Sequence, residues 1–148
     1  MTPGALLLTC LTPTALAVGA DIAVRRRRSR LLRALATQWR MNYQPADQLR
    51  VTPKVLPRLP VPGAANVRVM DLIYGSDRDR HRYVFSLEYT VGLVGPKTRV
   101  VRVASLSEPR ERGGAGSVSL TLAPAEGSLI DQYRYLAPPV PQSAPPSP

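Results

Sequence analysis

Residues able to do chemistry are few in this 148-residue chain, and their spacing does not bring them together. His81 is the only histidine and Cys10 the only cysteine. Zinc sites are built from several Cys, His and carboxylate ligands, so a zinc site of the usual kind is excluded. Asp77 and Asp79 could approach a cation. Arg78, Arg80 and Arg82 alternate with them, however, and the terminal glutamate of a calcium loop is missing. Gly113-Gly-Ala-Gly116 has the glycine content of a phosphate-cradling loop. It lacks the Lys-Ser/Thr pair of such loops and leads into a strand pattern instead of a helix. No G-x-S-x-G elbow exists, and His81 is the sole imidazole that could act as a base. Asp71 and Glu88 are the one carboxylate pair to weigh for hydrolysis, and nothing sets them across a cleft. Glu88 is expected to pair instead with Arg102 on a neighbouring strand, an exposed contact worth under ~1 kcal/mol. These residues predict a non-enzymatic protein with no catalytic residue, no metal ligand and no cofactor.

The concentrated charge is Arg25, Arg26, Arg27, Arg28 and Arg30, five of the twenty basic residues and half of the net charge of +10. From Leu31 onward fifteen Lys/Arg face nine Asp/Glu, so the remainder is only mildly basic. Before the cluster, residues 4–24 are mostly apolar and carry one charge, Asp21. As a helix this stretch would span about 31 Å, the thickness of a bilayer core. Basic residues beside a span stay cytoplasmic. The expectation is a single-pass anchor over residues 1–24, a lipid-facing basic segment over 25–30, and a cytoplasmic domain at the cell membrane. Anionic lipid headgroups could add about 1 kcal/mol per arginine. A cleaved signal peptide is the rival reading, but Met1-Thr-Pro lacks the positive charge such peptides carry. Nucleic-acid binding by the arginines is disfavoured by their place at the end of an apolar run.

The elements that must position any working surface are short. Leu31, Leu32, Leu35 and Trp39 form one helical stripe over residues 31–41. Asn42, Pro45 and Asp47 predict a turn. Residues 51–65, with four prolines, predict an extended connector. Strands are expected at 67–74, 83–91, 99–106 and 117–122. The clearest is Tyr83-Val-Phe-Ser-Leu-Glu-Tyr-Thr-Val91, whose odd positions are all apolar. Leu129, Ile130, Tyr133 and Leu136 pattern a short closing helix. Residues 137–148, with six prolines, predict a disordered tail.

Residues Ala36-Thr-Gln-Trp-Arg-Met-Asn-Tyr43, the Gly63-Ala-Ala-Asn66 approach and Tyr83-Val-Phe-Ser-Leu-Glu-Tyr-Thr90 follow an apolar N-terminus and a basic junction. In this the chain resembles a family of uncharacterised bacterial membrane-anchored proteins, over roughly residues 5–136. The resemblance implies no activity and assigns no site residue. The sequence therefore predicts an α+β domain over residues 31–136. An amphipathic helix would pack on the odd row of residues 83–91 in a four-stranded antiparallel sheet. Ser86, Glu88 and Thr90 would form the free face. The expected function is a membrane-tethered interaction module for a protein partner. Anionic-lipid or nucleic-acid binding, or a domain released from a signal peptide, are the alternatives.

Overall fold

The structure is a computed structural model that describes residues 3–77, 79–92, 96–110 and 117–138, with side chains described from residue 19 onward. The Gly-rich loop at 113–116, part of the turn at 92–97 and the tail beyond residue 138 lie outside the described residues. So do most side chains of the apolar stretch 4–24.

The chain divides into two units, Met1–Leu31 and Leu32–Pro148. The first is formed by helix α1, which runs Pro3–Gln38 and also supplies the opening turns of the second. The helical stripe expected over residues 31–41 is the end of one continuous helix. Among the described residues no helix is long and apolar enough to cross a membrane. The span expected over residues 4–24 is therefore unsupported by the structure.

The second unit is an α+β domain around a five-stranded antiparallel sheet in the order β1-β2-β3-β4-β5. Its strands are β1 (Asn42–Ala46), β2 (Ala65–Ser76), β3 (Arg80–Val91), β4 (Thr98–Pro109) and β5 (Ser119–Leu122). The sheet has one strand more than expected. The segment read as a turn at Asn42 and Pro45 is edge strand β1, with Tyr43 opposite Ile73. Pro45 is tolerated because an edge strand needs only one ladder. Asp47 ends the strand. Its carboxylate accepts from the Val51 and Thr52 amides at 2.7 and 2.8 Å. These bonds begin α2 (Thr52–Val55), which continues as a 3-10 turn at Leu56–Arg58. The proline connector is thus partly helical, since Pro53 sits in the first turn where no amide donor is needed.

β2 carries two irregularities against β3, one between Ala65 and Arg68 and one between Met70 and Ile73. Asn66 and Asp71 mark them with φ of 53° and 51°. Asn and Asp enter this left-handed region more readily than other side chains. Each extra residue reverses the alternation. Val67 and Val69 precede the second bulge and Leu72 and Tyr74 follow it, yet all four reach the same core cluster. Ile73 joins the other.

Both faces of the sheet are covered. On one, Tyr83, Phe85, Leu87 and Tyr89 pack with Leu106, Val51 and Val55, and Leu59 and Val61 lie against them. The Pro-rich segment, not the Trp39 helix, closes the odd row of β3. The helix lies on the opposite face, where Leu32, Leu35 and Ala36 meet Ile73, Val84, Val103 and Tyr133, with Trp39 alongside. The expected pairing of helix and odd row is corrected by this. β3 contributes few apolar side chains to the even face, but Ile73 and Val103 on its neighbours complete the surface.

The end of α1 is held by two backbone bonds. Met41 N–H donates to Ala36 O at 2.9 Å and Arg40 N–H to Thr37 O at 3.0 Å. Arg40 takes φ of 56°, the left-handed position that usually belongs to glycine in this cap. Helix α3 (Leu129–Tyr135) begins with a capping box between Ser128 and Asp131. The hydrogen bonds from Ser128 hold the Asp131 carboxyl below its ordinary range.

Candidate functional site

The expected free face of β3 is largely occupied. Ser86 is fully buried, with its Oγ 3.2 Å from the Tyr133 hydroxyl. Glu88 pairs with Arg99 at 2.5 Å instead of with Arg102. The register explains the exchange. Arg102 stands opposite Leu87 and so shares the other face, while Glu88 stands opposite Val101. Arg102 donates to Ala123 O. Asp71 is not across a cleft from Glu88. Its carboxylate Oδ1 accepts from the Tyr43 hydroxyl at 2.7 Å, and its carbonyl accepts from Tyr133 at 2.6 Å.

A cluster of titratable groups joining Lys54, Tyr83 and Glu108 was not anticipated. Lys54 Nζ donates to Glu108 Oε1 at 2.7 Å, and the Tyr83 hydroxyl donates to the same oxygen at 2.8 Å. Lys54 also stands 5.4 Å from the centre of the Tyr83 ring. Burial alone pushes the Glu108 carboxyl up. The bonds from Lys54 and Tyr83 and the charges of Lys54 and His81 outweigh burial, and the net shift is downward. Burial first, then the Glu108 acceptor and its charge, push the Tyr83 phenol far above its ordinary range. The trio ties α2 to β3 and β4. Glu108 lies past the end of the strand expected at 99–106, but β4 runs on to Pro109 and brings it opposite His81. His81 Nδ1 lies 2.7 Å from Ser76 Oγ.

A groove of about 370 Å³ opens on the α3 side of the sheet. Arg82 and Val84 of β3, Ser105 of β4 and Thr121 of β5 line it, with Met41 and Leu136. Met41 fits there because Gly75 has no side chain: a Cβ at Gly75 would stand 2.9 Å from Met41 Cγ. Chain separation hid this site, since its residues run from 41 to 136 without a motif. Strand register is the one signal that could have grouped Arg82 with its neighbours.

The predicted lipid-facing arginines lie on α1 in the first unit. Arg25, Arg26, Arg27 and Arg30 are exposed, and Arg28 is half-buried. Arg25 pairs with Asp21 at 2.9 Å, one helical turn earlier. Among the described residues no three His, Cys, Asp or Glu side chains gather as a metal-binding group.

Comparison with family models finds no match. No curated protein and no solved structure matches the chain.

Proposed function

We propose that this chain is a non-enzymatic interaction module, attached to the cell membrane by residues 4–24 with its folded domain on the cytoplasmic face. The observation that carries this is the exposure of Arg25, Arg26, Arg27 and Arg30 on a continuous helix directly after the apolar run. Basic residues in that position oppose translocation and attract anionic headgroups. A sheet with both faces closed by its own chain suits a scaffold that presents edges and loops to a protein partner. Paired C-terminal fusions test the orientation. A fluorescent-protein fusion should glow and an alkaline phosphatase fusion should stay inactive. Phosphatase activity in the periplasm, or a mature N-terminus downstream of residue 17, overturns the proposal. The second function of the arginines is lipid binding. Flotation with phosphatidylserine vesicles should fall when Arg25, Arg26, Arg27, Arg28 and Arg30 are all replaced by Gln, and should weaken with salt.

A further inference from the structure

The groove beside α3 holds features that the fold does not use. Among the described residues Arg82 is the only charged one lining it. The carboxylate paired with Arg82 is Asp77, 4.0 Å from Nη2 and largely exposed. At that distance the pair compensates little of the charge. The Arg82 Nε–H is buried and has no acceptor among the described residues. A guanidinium so placed is under-satisfied, and an anion entering the groove would offset its charge. Ser105 and Thr121 add hydroxyl donors, while Met41, Val84 and Leu136 add hydrocarbon.

We infer that this groove binds a small amphiphilic carboxylate, an aliphatic chain ending in one acid group. The carboxylate meets Arg82 with Ser105 and Thr121, and the chain lies along Met41, Val84 and Leu136. Charge complementarity selects the acid: one guanidinium with no carboxylate among the described lining residues matches a monoanion. Its planar donors match a planar carboxylate better than they match a spherical anion. The apolar part of the lining, Met41, Val84 and Leu136, selects the hydrocarbon. A volume of about 370 Å³ lies near the lower end for small-molecule sites and selects a short chain over a large cofactor. The inference is independent of whether the first unit enters a membrane.

Octanoate, octanol and inorganic phosphate test it on the full-length protein in lipid nanodiscs. The readout is the ¹³C shift of the Met41 methyl group, which reports at the groove itself. Octanoate should shift it saturably. Octanol has the same chain without the charge and controls for partition into lipid. It should bind about tenfold or more weakly, and phosphate should leave the signal in place. Arg82→Gln should weaken octanoate about 10- to 100-fold. Equal binding of octanol, a comparable shift with phosphate, or no saturable shift at all overturns the inference. So does an unchanged affinity in a folded Arg82→Gln variant. Should a second copy of the chain fill the groove, sedimentation would show a dimer that octanoate does not dissociate, which also overturns it. The comparison of the three compounds on the natural chain stands even if Arg82→Gln fails to fold.

Discussion

The Tyr133 hydroxyl donates to the main-chain carbonyl of Asp71, the left-handed residue at the second bulge of β2. One bond therefore ties α3 to the point where β2 changes its alternation. Tyr133→Phe should lower stability by about 1–3 kcal/mol in urea unfolding, because it removes the donor from a part-buried carbonyl and a partner from Ser86. Asp71→Asn, which tolerates the same backbone, should stay within about 1 kcal/mol of the natural chain. Asp71→Val should cost more than either, since a β-branched residue resists that conformation.

The stability supplied by Glu108 should depend on pH with a definite sign. Its folded carboxyl ionises below its ordinary value. Such a group stabilises the fold fully above its unfolded pKa and loses the effect as pH falls through the folded one. Glu108→Gln should therefore cost about 1 kcal/mol at pH 7, a modest figure because Lys54 is half-exposed. The gap between the two proteins should shrink below about pH 4. A gap that persists at pH 2 would remove the charge from the explanation. Urea midpoints from pH 2 to 7 provide the measurement.

Arg40→Gly should stabilise the domain by about 0.5–1 kcal/mol. Arg40 holds a left-handed backbone at the end of α1, where glycine avoids the Cβ clash. The greater freedom of glycine in the unfolded chain offsets part of the gain. Thermal unfolding gives the sign directly.

Gly75→Ala should destabilise by about 1–3 kcal/mol, because the new methyl group meets Met41 Cγ at 2.9 Å. Met41→Ala in the same chain should recover part of that loss. The expected coupling exceeds about 0.5 kcal/mol in a double-mutant cycle. Additive losses would show that Met41 simply swings aside.

Strand β3 was readable because its odd positions from Tyr83 to Val91 are uniformly apolar and its hydrogen-bonded register is unbroken along β4. The helix stripe through Leu32 and Leu35 and the α3 stripe through Ile130 and Tyr133 were readable for the same reason. What covers each face was not. Val51, Val55, Leu59 and Val61 are spaced by prolines and look like a linker, yet they close the odd row of β3. The apolar residues of β2 follow no single alternation, because the strand is covered on both faces and is also bulged. At the second bulge a single left-handed Asp71 leaves no period to detect. The Lys54, Tyr83 and Glu108 cluster and the Arg82 groove depend on residues tens of positions apart, so neither had a local signature.

The outer edge of β4 is only half protected. β5 pairs with Ala104 through Ser107, and beyond it the Gln132 side chain accepts from the Val103 amide while Ala123 donates to the Val103 carbonyl. From Thr98 to Arg102 no further strand pairs among the described residues. Arg99 and Arg102 lie along this open stretch, with Lys97 just before it. Charge on an unpaired edge repels the approach of a like edge. At high local crowding, copies of this domain would therefore stay apart along β4 through electrostatic repulsion. Salt, which screens that repulsion, would bring the chain closer to sheet-to-sheet aggregation.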